Sequence, residues 1–115
     1  MGQQSNVFVK ATDVELEDVA QGLTRQVLGY NDDIMLVRVT FEKGAIGERH
    51  SHPHRQVTYV ESGSFEVEIN GEKQVLNSGD SFMIPADLPH GAVCLAPGVL
   101  IDVFTPTRED FLNGK

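Results

Sequence analysis

The sequence predicts an all-β domain, a sandwich or a barrel, on three observations. Apolar residues fall in short runs, several of them alternating with polar residues. Gly, Asn and Asp punctuate those runs at regular spacing, and Asn70-Gly71 is a strong two-residue hairpin signal. No stretch repeats with a helical period, apart from a possible turn at Arg108–Leu112. A chain of 115 residues is one domain by length. The expected layout is a single domain over 1–115, with a core from about 8 to 105 and a C-terminal turn or short helix at 107–113.

The strands are expected in sequence from Phe8 to Phe104. Val14–Val19 alternates as a half-exposed strand, and Ala20-Gln21-Gly22 turns it into Leu23–Leu28. Asn31-Asp32-Asp33 turns the chain again into Ile34–Phe41, a long β-rich run closed by Lys43-Gly44. Val57–Val60 ends at Ser62-Gly63, and Phe65–Ile69 alternates up to the Asn70-Gly71 turn. Lys73–Leu76, Phe82–Ile84, Ala92–Leu95 and Val99–Phe104 complete the set.

Composition narrows the function classes. The hydrophobic fraction of 40% and charged fraction of 23% are those of an ordinary soluble domain. A net charge of −8 repels phosphate backbones and anionic bilayers, so neither nucleic acid nor membrane is an expected partner. An anionic ligand would need local cations to overcome that field. The single cysteine, Cys94, allows no intrachain disulfide, which suits a reducing compartment. The N-terminal MGQQSN has no apolar core of a secretory signal, and no stretch approaches the roughly 20 apolar residues of a membrane span, so a cytoplasmic location is expected.

Three of the four histidines stand together in His50-Ser51-His52-Pro53-His54. In a strand, residues two apart point the same way, so His50 and His52 would present two imidazoles to one face, with Gln56 on the same parity. Imidazole is the common ligand of Zn, Ni, Cu and Fe, and an amide oxygen is a weaker, neutral donor. His90, after Pro89, would have to join from a neighbouring strand. Parity leaves His54 open as well, although Pro53 interrupts regular pairing there. Histidines clustered without purpose on a surface loop are the bland alternative.

Other residues carry two readings each. Asp102 is the one charge in the apolar run Val99–Phe104, and it is either a barrel-facing functional carboxylate or an outward ion-pair partner. Phe104 either offers an apolar face to a flat ligand or packs in the core. Arg108 either grips a substrate carboxylate bidentately or pairs with Glu109 or Asp110. Cys94 is read as a small buried residue, and Tyr59 and Phe82 as core or dimer-contact residues.

Gly44, His50-x-His52, Gln56 and Gly63 follow the spacing of the first cupin motif, with Gln where most cupins have Glu. Gly79, Pro85, His90 and Cys94 follow the second, with Asp87 in place of the usual Gly and Cys94 in place of the usual Asn. The sequence therefore resembles the cupin superfamily. That resemblance implies a double-stranded β-helix, the jelly-roll barrel, with one divalent metal ion (Zn, Ni, Fe or Mn) held by His50, His52, Gln56 and His90. Three imidazoles and an amide are all neutral, so the full charge stays on the ion, which favours Lewis-acid work on an anionic ligand.

A narrower similarity lies in Leu28-Gly29, Phe41–Gly47, Gly63–Glu66, Gly79-Asp80, His90-Gly91 and Leu100–Leu112. These stretches look like the pectin-degradation cupins, which linearise unsaturated monouronates from pectin and alginate. The resemblance implies an isomerase-type enzyme, a small anionic sugar acid as ligand, and active-site roles for Asp102, Phe104 and Arg108. The rival readings are an iron-dependent cupin dioxygenase and a non-catalytic sugar-binding cupin. A homodimer is expected, paired along the N-terminal edge at Val14–Val19.

Overall fold

The computed structural model describes residues 2–113; the expectation of one domain over 1–115 also takes in Met1, Gly114 and Lys115, which lie outside the described residues. Among the described residues, eight strands run in order: β1 Glu17–Ala20, β2 Leu23–Tyr30, β3 Met35–Phe41, β4 Ile46–His50, β5 Arg55–Ile69, β6 Glu72–Asn77, β7 Ser81–Ile84 and β8 His90–Thr105. A short helix, α1, follows at Glu109–Asn113. All pairings are antiparallel, in the order β1-β2-β3-β8-β5-β6, with β4 added on β8 and β7 on β5.

The long strands β5 and β8 fold this sheet over on itself. The late half of β8 pairs with β3 and its early half with β4. Likewise the early half of β5 pairs with β7 and its late half with β6. The two long strands also pair with each other from Arg55↔Thr105 to Ile69↔His90, so both layers share them. The bend falls at Ser62–Ser64 opposite Ala96–Gly98, where the register shifts. Gly63 has φ +82 there, and a Cβ on it would lie 2.6 Å from the Ala96 carbonyl oxygen and the Gly98 Cα. Only glycine suits such a corner.

The alternation read from the sequence is the alternation of burial. In β3, Met35, Val37, Val39 and Phe41 point inward, and in β5 the inward set is Gln56, Thr58 and Val60. These join Phe65, Val67, Cys94, Leu100 and Phe104 in the core, where Phe41 and Phe65 pack edge to face at 5.0 Å. The outward parity of the same sheet leaves Val57, Tyr59 and Met83 about half exposed.

Several boundaries differ from expectation. No strand begins at Phe8: residues 8–16 hold only a 3-10 turn at Ala11–Asp13, and the strand expected from Val14 starts at Glu17. The side chain of Gln26 on β2 holds this segment in place of ladder bonds, its Nε2 donating to the carbonyls of Ala11 (2.9 Å) and Val14 (3.1 Å). Ser62-Gly63 does not end a strand, and Ala92–Leu95 and Val99–Phe104 are halves of one strand, because a glycine corner bends a ladder without breaking it. Tyr59 is on the outer face and is not a core residue. Among the described residues, no helix is long and apolar enough to cross a membrane.

Candidate metal centre

The histidines converge by a route that strand parity does not describe. His50 is the last residue of β4 and stands in register with His90, the first residue of β8. His52 lies beyond the strand, in the loop 51–54, and that loop turns its ring back toward the other two. Ring centroids are 4.5 Å apart for His50 and His90, 4.8 Å for His52 and His90, and 5.4 Å for His50 and His52. One nitrogen from each lies within 4.8 Å of the others, a spacing that one metal ion can bridge. The ring of His54 is outside this group, 5.5 Å from that of His52.

Each imidazole is oriented from behind by a backbone carbonyl. Nδ1 of His50 donates to the Glu48 carbonyl at 2.8 Å, that of His52 to His54 at 3.0 Å, and that of His90 to Leu88 at 2.9 Å. A neutral imidazole with its proton on Nδ1 presents Nε2 as a lone pair, which is how ligating histidines are held. Burial, the Arg108 guanidinium and the His90 ring push His52 down to about 4, and burial lowers His90 as well. Both are therefore neutral near pH 7 and have lone pairs to give. His54 contributes its carbonyl, not its ring.

Gln56 follows on the inner face of β5. Its Oε1 lies 3.1 Å from Nε2 of His52, while its Nε2 donates to Thr58 Oγ1 at 2.9 Å and lies 3.4 Å from Asp102 Oδ1. Two acceptors thus face one another at 3.1 Å, an arrangement that a cation between them completes. The donor set of three imidazoles and one amide oxygen fits a divalent transition metal.

A cavity of about 370 Å³ opens over this centre. His50, His90, Gln56 and Asp102 form its polar wall, and Val39, Phe41, Leu100 and Phe104 its apolar one. Asp102 is in register with Thr58 across β5 and β8, and accepts its hydroxyl proton at 2.6 Å. Burial raises Asp102 to about 6, against the opposing pull of Thr58, Arg108 and Gln56. Arg108 lines the cavity 5.1 Å from the centre of the Phe104 ring and is held by a bidentate pair with Asp110, Nε at 3.0 Å and Nη2 at 2.8 Å. The two readings of Arg108 are compatible, because the pair with Asp110 uses two of five guanidinium donors. Cys94 is buried, and its thiol donates to the Ala96 carbonyl at 3.0 Å.

Sequence reasoning passed over Thr58, Arg25 and Phe111. Phe111 of α1 packs edge-on to Phe104, with the guanidinium carbons of Arg25 and Arg108 at 3.8 Å and 4.2 Å from its ring centre, and all three line the cavity. Thr58 had one available signal, its shared parity with Gln56.

The fold and this histidine centre define a cupin, and the cupin-domain family matches residues 37–104; the chain belongs to that family. Within it, the chain is 49% identical over 98 residues to the pectin degradation protein KdgF of Dickeya dadantii (strain 3937), covering 84% of this chain and 89% of that protein. A solved RmlC-like cupin from Shewanella frigidimarina NCIMB 400 is 50% identical with a TM-score of 0.92, covering 95% of this chain and 98% of that one. The solved KdgF from Halomonas sp. is 40% identical with a TM-score of 0.88, covering 93% and 99%.

Proposed function

We propose that this protein opens the ring of 4,5-unsaturated monouronates, released from pectin or alginate, to give the linear keto form. The observation that carries the reading is Asp102, a part-buried carboxyl on the wall of a cavity that His50, His90, Gln56, Phe104 and Arg108 also line. The similarity to proteins named for pectin degradation supports it. A divalent ion held by His50, His52, Gln56 and His90 would supply Lewis-acid polarisation of a substrate oxygen.

The chain's own groups would divide the remaining work. Arg108 offers its free donors to the substrate carboxylate, and Phe104 offers an apolar face to the ring. Asp102 takes the proton of the anomeric hydroxyl as the bond from C1 to the ring oxygen breaks and C1 becomes an aldehyde. The electron pair of that bond leaves on the ring oxygen as an enolate, and C4 then takes the proton as C5 becomes a ketone. One proton has moved, and no oxidant or reductant is consumed. An iron-dependent oxygenase would take up oxygen, and this reaction would not.

Incubating metal-loaded protein with unsaturated galacturonate, and following the ultraviolet absorbance of its double bond, tests the proposal. Loss of absorbance faster than in buffer is expected, and Asp102→Asn should slow it at least a hundredfold. No acceleration by the loaded protein overturns the function. An unaltered rate in Asp102→Asn overturns only the role of that residue. A cytoplasmic homodimer is part of the same reading. It is supported by the lone cysteine and by β1, which stands at the end of the sheet as an exposed strand.

A further inference from the structure

Thr58 has no exposure at all, yet it carries a hydroxyl on the inner face of β5. That hydroxyl has one proton and sits between two partners. It donates to Asp102 Oδ1 at 2.6 Å, the short distance of a bond to a charged or strongly accepting oxygen. With its proton spent there, the oxygen can only accept from Gln56, which approaches at 2.9 Å. The amide end facing Thr58 must therefore be the NH2 group. The other end, the carbonyl, is then the end that faces His52 and the histidine cluster. A turned-over amide would set its carbonyl against a hydroxyl with no proton to offer and a carboxylate, and its NH2 against the place a cation would take.

We propose that Thr58 is a positioning residue: its hydroxyl transmits the acceptor character of Asp102 to Gln56 and so fixes the amide with its oxygen toward the metal. The proposal rests on the metal-site reading of His50, His52, Gln56 and His90. The register makes the arrangement possible, because Thr58 lies directly opposite Asp102 and shares the inward parity of Gln56 two residues earlier. The contact of Gln56 Nε2 with Asp102 is longer, at 3.4 Å, so Thr58 supplies the closer acceptor for the amide. One hydroxyl thus sets the aim of a ligand and the seat of the proton carrier.

The test is zinc affinity by competition with a chromophoric chelator, on protein stripped of metal, with thermal melts to confirm folding. Thr58→Val keeps the shape of the side chain and removes the hydroxyl, and is expected to weaken zinc about tenfold or more. Thr58→Ser keeps the hydroxyl and is expected to bind within about twofold of the wild type. In a Gln56→Ala background, Thr58→Val should weaken zinc no further, since the side chain it orients has gone. Wild-type affinity in Thr58→Val, or an equal loss in both backgrounds, overturns the proposal. A Thr58→Ser variant as weak as Thr58→Val also overturns it. If the wild-type protein binds no zinc, nickel, iron or manganese, it is the metal-site reading that fails.

Discussion

The carboxyl of Asp102 is held against an apolar wall with a hydroxyl and an amide as its near donors. Its rise from 3.8 to about 6 makes the charged form a burden on the fold. The native state then holds a proton that the unfolded chain has lost, so stability falls as pH climbs from about 4 to about 6 and stays lower above that. The size is roughly 3 kcal/mol at most, taking about 1.4 kcal/mol for each decade. In metal-free protein, Asp102→Asn is therefore expected to be more stable than the wild type at pH 8 and to lose that advantage by pH 4. Urea unfolding at the two values checks it, and an advantage independent of pH refutes the burial argument. The residue scale is also where the sequence was least legible. His50, His52 and His90 were visible as a motif, but their tautomers depend on carbonyls placed by the loops. Thr58 meets Asp102 across 44 positions of chain, and no local pattern marks such a partner.

Elements were more legible, because burial of one sheet face imposes a period of two that the residues must obey. β3 and the alternating part of β5 follow it residue by residue. What the pattern hid was continuity, since a glycine can end a strand or bend it with the same letters. Gly63 and Gly44 separate the two cases. Both have positive φ, at +82 and +84, but a Cβ on Gly44 meets nothing within 4 Å, whereas one on Gly63 strikes the backbone of Ala96–Gly98. Gly44→Ala should cost about 1–2 kcal/mol, the backbone strain alone. Gly63→Ala should cost roughly 3 kcal/mol or more, because packed backbone must also shift. Denaturant midpoints give the comparison, and equal losses would mean that the corner yields more easily than its geometry implies.

At the scale of the whole molecule, the cavity is closed by parts distant in sequence. β4, the loop after it and β8 bring the histidines, β5 brings Gln56 and Thr58, and α1 returns to lay Phe111 against Phe104. The class of fold was legible from turn spacing and two motifs, and the rim of the site was not, because α1 and β2 meet only once the chain is folded. Among the described residues β1 pairs on one side only, with β2. An edge of that kind accepts a second copy. Light scattering on the eluting protein should return twice the chain mass, and a monomeric mass would exclude the dimer.

The two long strands have a consequence for how the molecule comes apart. Neither layer owns a complete set of strands, since β5 and β8 belong to both. One layer cannot melt and leave the other standing, so the barrel lacks the independent subunits of opening that many domains possess. Backbone amides on either side of the bend in β8, near Val93 and near Leu100, should then trade their hydrogens for deuterium in the same rare event. The candidate metal centre draws Gln56 and His90 from that shared pair, so loss of either long strand takes one of its proposed ligands away.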